Sequence, residues 1–392
     1  MSKEQRTILI QALLFIVTFI TTTIAGAEWC FGKVIYSGEY SWGDFVSGMQ
    51  FSIPFLLILT VHEFGHYFTA LYHKVKSSLP YYIPFPPIPL SIGTMGAVIR
   101  LRSRVPSTRK NFDIGIAGPL AGFVVALGVL VYGFATLPPA EHIFTIHPEY
   151  KQYGLNYAEH VYSDEYMAAL MKKYNLESKP LDVQIGTNLL FELFRVVAPD
   201  QQRIPNMHEM MHYPLLFAGF LALVFTSLNL LPIGQLDGGH VLYGLAGFKR
   251  HRIIASVAFV ALIFYAGLGL EYVFLKDTIN ILTLQIPAYI VTFPAYGLFL
   301  YSCFTGLKLP KRDTVMFAVV VFTVQYLLYV VFPTLTGYSG WLLFGFLIGR
   351  ILGIPHPPTE IEEPLDQKRK ILGWFALVIF ILSFTPSPIN FQ

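Results

Sequence analysis

The segment Phe51–Tyr72, FSIPFLLILTVHEFGHYFTALY, decides what kind of protein this chain forms. It is long and apolar enough to cross a bilayer as one helix, since about 20 residues rising 1.5 Å each span the hydrocarbon. Within it, His62-Glu63-Phe64-Gly65-His66 has the pattern H-E-x-x-H. Because four residues make about one helical turn, His62 and His66 project from the same helical face. The segment therefore predicts a membrane helix that carries a two-histidine metal clamp.

The composition of the whole chain agrees with a membrane protein. Of its 392 residues, 54% are hydrophobic and only 13% are charged, against roughly 25% charged in a soluble domain. Nucleic-acid-binding proteins are usually strongly basic, whereas this chain has a net charge of only +3, so we expect no nucleic-acid partner. Cys30 and Cys303 lie in separate apolar segments and cannot build a disulfide framework or a cysteine-based zinc site. Any metal site must therefore use histidines and carboxylates.

Nine apolar runs are candidate membrane spans. They are Thr7–Ala27, Phe51–Tyr72, Ile114–Leu137, Pro214–Pro232, Ile253–Leu275, Ile281–Phe304, Val315–Phe332, Trp341–Ile354 and Ile371–Phe384, of which the last two are short. The loop His73–Phe112 contains seven basic and no acidic residues, which predicts a cytosolic location. Alternating the spans from that loop places Pro138–Tyr213 outside, and its mixed polarity suggests a small folded or surface-lying insertion.

A zinc site with two histidines needs a third protein ligand and an open position for water. The best candidate is Asp237, which follows the fourth run in the segment Asn229–His240, NLLPIGQLDGGH. Its proline and three glycines permit an unwound segment that presents an acid between helices. The alternative is a plain helix end followed by a turn. Glu63, rotated about 100° from His62 around the helix, is the candidate general base.

A second H-E-x-x-H pattern occurs at His208-Glu209-Met210-Met211-His212. It lies between Pro205 and Pro214, so it can form at most a two-turn helix. We expect a solvated or interfacial turn whose methionines contact lipid, with adventitious metal binding as the alternative.

The two separated motifs resemble those of the site-2 proteases, which are intramembrane zinc metalloproteases of the M50 type. The resemblance implies that the H-E-x-x-H helix supplies His62 and His66 as zinc ligands and Glu63 as the base that activates water. It further implies that an N-x-x-P-x-x-x-L-D-G segment supplies Asp237 as the third ligand, and that one Zn²⁺ binds per chain. Asn229 would hold the substrate backbone or stabilise the oxyanion.

Two stretches between the motifs are also similar to the family. Ile92–Arg100, IGTMGAVIR, resembles its membrane-embedded β-hairpin, whose strand edge at Gly93 and Gly96 would pair with an extended substrate. An ordinary cytosolic hairpin is the alternative. Ala117–Gly122, AGPLAG, resembles the family's third core helix, although close packing alone explains its small residues. Without a PDZ-like module, the chain looks most like the PDZ-less branch that includes chloroplast homologues.

We therefore predict an all-α polytopic membrane protein, with about nine transmembrane helices around a three-helix catalytic core and a small membrane-associated β-hairpin. We expect five regions along the chain. They are 1–48 with the first transmembrane helix and an outer loop, 49–137 with the catalytic helix, hairpin and third helix, 138–213 as an extracytosolic insertion, 214–250 with the third metal ligand, and 251–392 as a C-terminal transmembrane bundle.

The expected function is zinc-dependent hydrolysis of peptide bonds within transmembrane segments of membrane-protein substrates. The enzyme would be a multi-pass protein, which we place in a bacterial cytoplasmic membrane with its active site toward the cytosol. The main alternative is a transporter or metal-ion carrier that uses the same His/Glu/Asp cluster. Gly337-Tyr338-Ser339-Gly340 matches the G-x-S-G nucleophile pattern of rhomboid-like serine proteases. This alternative is less favoured, because the only histidine after Ser339 is His356, in a predicted cytosolic loop. The sequence carries no signal for the substrate's identity or the oligomeric state.

Overall fold

The computed structural model describes residues 2–175, 182–270, 274–275, 278–281 and 284–391. The α-helices are α1 (Lys3–Phe31), α2 (Trp42–Tyr72), α3 (Thr108–Ala135), α4 (Ile143–Ile146), α5 (Ala158–Val161), α6 (Asp164–Tyr174), α7 (Leu189–Val197), α8 (Pro214–Asn229), α9 (Asp237–Gly267), α10 (Tyr289–Phe304), α11 (Lys311–Val331), α12 (Gly340–Leu347) and α13 (Gln367–Ser383). The strands are β1 (Tyr81–Pro84), β2 (Thr94–Val98), β3 (Val183–Ile185), β4 (Thr278–Ile281), β5 (Leu284–Pro287) and β6 (Ile389–Phe391). Short 3₁₀ turns occur at Ile35–Ser37, Ala140–His142, Pro148–Asn156, Gln201–Arg203, Met210–His212 and Thr305–Leu307, and a π-helical turn at Ile348–Leu352.

Six of the described helices are long and apolar enough to cross a membrane. They are α1, α2, α3, α9, Tyr289–Leu307 and α11, while α8 and Gly340–Leu352 are shorter apolar helices. A helix overlaps each of the nine predicted runs. The expected number of nine transmembrane helices is nevertheless not confirmed, because the remaining helices are shorter than the roughly 20 residues that a perpendicular crossing needs.

Small sheets accompany the helices. The predicted hairpin is present: β1 and β2 pair antiparallel, with Tyr81 opposite Val98 and Pro84 opposite Thr94. Two further pairs, β3 with β6 and β4 with β5, were not predicted. The expectation of an all-α protein with one hairpin is therefore too simple, since the described residues form three two-stranded sheets.

The chain divides into two compact units. The first comprises Met1–Arg104, Ala117–Leu228 and Val378–Gln392, and the second comprises Val105–Ile116 and Asn229–Leu377. His62, Glu63 and His66 belong to the first unit, and Asp237 belongs to the second.

In the first unit, α1 and α2 pack with their backbones in close approach. A Cβ atom placed on Gly48 would lie 2.1 Å from the carbonyl oxygen of Thr23, so only glycine fits there. The Thr23 and Ser52 hydroxyls form a hydrogen bond of 2.7 Å across the same pair of helices. Phe51 then packs on Phe217 of α8, with ring centroids 5.3 Å apart. Lipid tails are as apolar as the side chains, so membrane helices associate through close packing of small residues and interhelical hydrogen bonds. The α1–α2 pair has both kinds of contact.

The hairpin is attached to both of these helices. The Thr21 hydroxyl of α1 donates to the carbonyl of Gly93 over 2.6 Å. The Thr60 hydroxyl of α2 lies 2.8 Å from the Tyr82 hydroxyl of β1. Thr60 precedes Glu63 by three residues, so this hydrogen bond fixes the hairpin next to the helical turn that carries the H-E-x-x-H pattern.

The described residues of 138–213 form short helices, turns and the strand β3. Their helices surround a small core of Ile143, Tyr157 and Val161. The second H-E-x-x-H pattern forms a turn that continues into the 3₁₀ helix Met210–His212. Met210 is 1% exposed and Glu209 is 2% exposed, so the expectation of a solvated turn is wrong and Met210 does not face lipid, while Met211 is half-buried. The reason is tertiary packing against the rest of the insertion, which a local sequence pattern does not report.

In the second unit, the segment between α8 and α9 is unwound. α8 ends at Asn229, and a new helix begins at Asp237. A Cβ on Gly238 would lie 1.9 Å from the carbonyl oxygen of Leu230. Gly234 has φ of +60°, a conformation that side chains with a Cβ atom rarely adopt. Gly234 and Gly238 are therefore required by the backbone path, and a non-helical segment of this kind fits both the predicted unwound segment and a plain helix end followed by a turn.

Candidate metal centre

A single continuous helix positions the residues of the first H-E-x-x-H pattern. Ser41 caps α2 in a capping box with Asp44, which satisfies backbone N–H groups at the helix start. The helix continues unbroken to Tyr72 and carries His62 and His66 one turn apart. Their Nε2 atoms lie 3.1 Å from each other. Two ligands of a tetrahedral zinc, with bonds of about 2.0 to 2.1 Å, lie about 3.3 Å apart, so the spacing fits one metal ion.

The site is buried within a helix that is able to span a membrane. His62, Glu63 and His66 are 6%, 5% and 7% exposed. One Glu63 carboxylate oxygen lies 4.0 Å from His62 Nε2. Ionisable groups at such depth cost several kcal/mol unless they are paired or functional. Three such groups lie buried within about one turn of α2, as a functional site would require, and their roles stay predictions.

Small residues of α3 leave room for the two imidazole rings. A Cβ on Gly118 would lie 2.1 Å from His66 Nε2, and a Cβ on Gly122 would lie 3.0 Å from the Cβ of His62. On α2, a Cβ on Gly65 would lie 2.6 Å from the carbonyl oxygen of Ala117. The glycines of α3 thus form a cradle that any larger side chain would fill. Two imidazoles and a carboxylate in such a cradle are the donor set that zinc accepts.

The other predicted site residues lie in defined positions. Gly93 is buried against α1, with φ of +77°. Gly96 has φ of +101°, and a Cβ there would meet no atom within 4 Å. Asn229 is the last residue of α8 and Asp237 is the first of α9, and both are partly buried. These two belong to the second unit, and their assignment to the metal and substrate stays a prediction.

Comparison with known proteins assigns the family. A model of peptidase family M50 matches residues 50–274, more than half of the chain. The chain belongs to peptidase family M50. The matched range includes both H-E-x-x-H patterns, the hairpin and Asp237. The expected membership, made from residues alone, is confirmed.

Several plant proteins are similar to this M50 chain. One is the probable zinc metalloprotease EGY1, chloroplastic, of Oryza sativa subsp. japonica, which is 29% identical over 51% of this chain and 30% of its own length. The Arabidopsis thaliana protein of the same name is 27% identical over 48% of this chain and 28% of its own length. The probable zinc metalloprotease EGY3, chloroplastic, of Oryza sativa subsp. indica is 26% identical over 62% and 38%. The chain thus spans about a third of these relatives, and no solved structure matches it.

The serine-protease alternative gains no support from the partners of His356. Its Nε2 lies 2.8 Å from His240 Nδ1, and its Nδ1 lies 2.5 Å from the carbonyl oxygen of Pro357. Its ring also stacks on Tyr243, with centroids 4.3 Å apart. Because both ring nitrogens already have partners other than Ser339, the histidine is not arranged as the base of a Ser-His dyad.

A second group of possible metal ligands shares Glu209 and His212 with the second H-E-x-x-H pattern, and the sequence interpretation missed its third member, His147. It consists of His147, Glu209 and His212, named here the second cluster, whose ligand atoms lie within 4.8 Å of one another. The pattern of residues 208–212 pointed to His208, but that ring pairs with Asp182 over 2.8 Å. Burial lowers the pKa of His212 to about 4, so its imidazole is neutral near pH 7. No spacing rule connects His147 to a turn some sixty residues later, so only the fold identifies it.

Proposed function

We propose that this M50 chain is an intramembrane zinc metalloendopeptidase that hydrolyses peptide bonds within transmembrane segments of membrane proteins. The observation that carries the proposal is the buried His62, Glu63 and His66 group on α2, a helix long and apolar enough to cross a membrane. The names of the plant relatives, probable zinc metalloproteases, support the same chemistry. The lipid bilayer and single transmembrane helices of other proteins are then the partners.

His62 and His66 would hold the zinc through their Nε2 atoms, with Asp237 as the proposed third ligand. When bound, zinc supplies Lewis acidity that polarises a carbonyl group and lowers the pKa of a water molecule. The Glu63 carboxylate accepts a proton from the attacking water and delivers it to the nitrogen of the leaving amine. Burial keeps bulk water from competing with these groups for protons.

We assign substrate positioning to the hairpin and to Asn229. Among the described residues, β2 pairs with β1 and with no other strand, so an incoming extended segment would pair along its other edge. The Gly96 N–H donates to the Thr94 hydroxyl over 3.0 Å and would have to exchange this bond for one to the substrate. A transmembrane helix must unwind before it can pair in this way, because its carbonyls are already hydrogen-bonded within the helix. Gly93 and Gly96 shape this edge, and the Asn229 amide would hold the substrate backbone or the oxyanion. Substrate segments rich in helix-destabilising residues should therefore be cleaved best.

The experiment is the cleavage of a single-span model substrate by the purified chain in lipid vesicles, with the variants Glu63→Gln and Glu39→Gln. Glu39 is exposed and serves as the matched control. We expect Glu63→Gln to lower the cleavage rate by about 10² to 10⁴ because general-base catalysis is lost, while its zinc content stays at the wild-type value. Glu39→Gln should cleave at the wild-type rate.

The same variants separate the proposal from a transporter that uses the cluster as a transient site. A transporter does not require a general base, so it would give no cleavage in the wild type and would bind or move metal equally well with Gln at position 63. Wild-type cleavage that survives Glu63→Gln would place the catalytic site elsewhere in the chain.

We further propose that the chain is a multi-pass protein of a bacterial cytoplasmic membrane, with the site toward the cytosol. The basic loop 73–112 supports this orientation through the positive-inside tendency. The similar plant proteins are named as chloroplastic, so the bacterial membrane rests on the proposal and not on these relatives. Protease accessibility of an epitope placed in 73–112, in right-side-out vesicles, tests the orientation: protection supports it and digestion contradicts it.

A further inference from the structure

We propose that the second cluster binds one divalent transition-metal ion, with zinc as the best match, through His147, Glu209 and His212. This ion would be additional to the one expected on α2. It would hold the folded insertion together rather than take part in peptide hydrolysis, so the inference does not depend on the proposed function.

The three ligand atoms are spaced as ligands of one tetrahedral ion. The Nε2 atoms of His147 and His212 lie 3.3 Å apart. One Glu209 carboxylate oxygen, Oε2, lies 3.6 Å from His147 Nε2 and 3.4 Å from His212 Nε2. Bonds of about 2.0 to 2.1 Å at tetrahedral angles separate neighbouring ligands by about 3.3 Å. The separations of the three atoms therefore match those between the ligands of one zinc ion.

Hydrogen bonds on the far side of each ligand orient it toward the centre of the triangle. His212 Nδ1 lies 2.9 Å from the carbonyl oxygen of Cys30, which can only accept, so Nδ1 carries the proton and Nε2 presents a lone pair. His147 Nδ1 lies 3.2 Å from a Glu149 carboxylate oxygen. The Tyr162 hydroxyl donates to the other carboxylate oxygen of Glu209. Metal-binding histidines and carboxylates characteristically have such outer partners.

The central carboxylate oxygen is buried without a hydrogen-bond donor. Glu209 is 2% exposed, and its Oε2 has no hydrogen-bond partner among the described residues. A buried polar atom left in this state costs about 1 to 3 kcal/mol, and a charged one costs more. With Nδ1 protonated on both imidazoles, three lone-pair-bearing atoms face one another. A cation between them removes both the repulsion and the unsatisfied oxygen.

The environment of the second cluster is that of a structural site. Tyr150 stacks on His147 with ring centroids 4.6 Å apart, and Tyr162 stacks on His208 at 4.0 Å. Among its described residues the insertion has a small apolar core of Ile143, Tyr157 and Val161, so an ion that joins distant positions would add to its stability. Because His212 also binds the carbonyl of Cys30 at the end of α1, the ion would fix the insertion to that helix.

The test uses Zn²⁺ alone and the full chain in detergent, with His62→Ala and His66→Ala introduced together to remove the site on α2. Zinc per chain is measured by elemental analysis after dialysis, and Co²⁺ replaces Zn²⁺ in a parallel sample to report tetrahedral coordination by visible absorption. Into this background we introduce His147→Ala or Glu209→Gln. The second of these keeps the size of the side chain and its contact with Tyr162, so it reports on the ligand even where His147→Ala does not fold.

We expect the background protein to retain one zinc and each ligand variant to lose at least tenfold in zinc affinity. His160→Ala, an exposed histidine of the same insertion, is the matched control and should retain the ion. His208→Asn should also retain it, because the fold, and not the H-E-x-x-H spacing, selects the ligands. The inference is overturned if the background protein binds no zinc, if Glu209→Gln binds it undiminished, or if His208→Asn loses it while His147→Ala does not.

The outcome is separable from that of the proposed function. His66→Ala alone, with the second cluster intact, reports on the α2 site through the loss of one zinc of two. A chain that loses its only zinc in His66→Ala supports the metalloprotease and refutes the second ion.

Discussion

Replacement of Gly118 by alanine tests whether α3 positions the imidazole of His66. The added Cβ would lie 2.1 Å from His66 Nε2, and 2.4 Å and 2.5 Å from two ring carbons. The nearest of these distances is about 1.3 Å shorter than the 3.4 Å at which ordinary van der Waals contact begins. The ring must therefore move by about 1 Å, away from the position in which its Nε2 faces that of His62.

A displacement of this size has a large expected effect on catalysis and a small one on folding. A misplacement of 1 Å at a reacting centre lowers a rate by about 100-fold, or about 2.7 kcal/mol of transition-state stabilisation. Alanine at a helical glycine raises helix stability by about 1 kcal/mol, so a weaker α3 is not the cause of any loss. We expect kcat/KM of Gly118→Ala to fall about 100-fold and its zinc affinity to fall at least tenfold.

The assay measures zinc content and vesicle cleavage of Gly118→Ala beside Gly128→Ala. Gly128 lies on the same helix, and a Cβ there meets no atom within 4 Å, so this control should behave as the wild type. If Gly118→Ala folds and has wild-type zinc affinity and cleavage, α3 does not position the imidazole of His66.

Two further predictions concern the third ligand and the hairpin. In a protein whose second cluster has been removed by Glu209→Gln, we expect Asp237→Ala to lose the remaining zinc, measured by elemental analysis. Asp313→Ala, at an exposed position, is the control and should keep it. Equal zinc in the two variants would exclude Asp237 as a ligand. We expect Gly93→Ala to lower the melting temperature for two reasons. The added Cβ would lie 2.3 Å from the carbonyl oxygen of Thr21. The φ of +77° also destabilises a residue with a Cβ atom by about 1 to 3 kcal/mol. Gly96→Ala has the backbone strain without the clash, so its melting temperature, measured by differential scanning fluorimetry, should fall less; equal melting temperatures would contradict the packing of the hairpin on α1.

Hydropathy predicted the helices well but placed several of their ends wrongly. The sequence interpretation starts the second run at Phe51, whereas α2 starts at Trp42 because Ser41 and Asp44 cap it there. It begins another run at Ile253, whereas α9 begins at Asp237 and includes the non-apolar residues around a kink at Gly247. Apolar runs report which residues contact lipid, while hydrogen-bonding residues at the ends decide where a helix begins.

The strand pairs show where local patterns stop being informative. β1 and β2 are close in sequence, and the resemblance of Ile92–Arg100 to the hairpin of the site-2 proteases predicted the pair. β3 and β6 pair across some two hundred residues, for which no local signal exists. The predicted apolar run Ile281–Phe304 includes Ile281 of β4 and all of β5 (Leu284–Pro287). Its composition did not distinguish strand from membrane helix there, and only the pairing of β4 with β5 does.

The two H-E-x-x-H patterns show the same contrast at the level of sites. The first forms on one helix, where spacing alone brings His62 and His66 together, so the sequence predicted it. In the second, a turn replaces the helix, and the fold brings His147 to Glu209 and His212 while His208 turns to Asp182. A ligand set on one regular element is predictable from periodicity, and one assembled from separate segments is not.

We propose that the buried His62, Glu63 and His66 group on α2 cuts peptide bonds inside the membrane. The most direct measurement is mass spectrometry of the fragments that wild-type protein and Glu63→Gln produce from a single-span substrate in vesicles. We expect the wild type to give fragments that end within the apolar segment and Glu63→Gln to give no such fragments. Fragments that end only in the soluble flanks, or the same intramembrane fragments from both proteins, would contradict it.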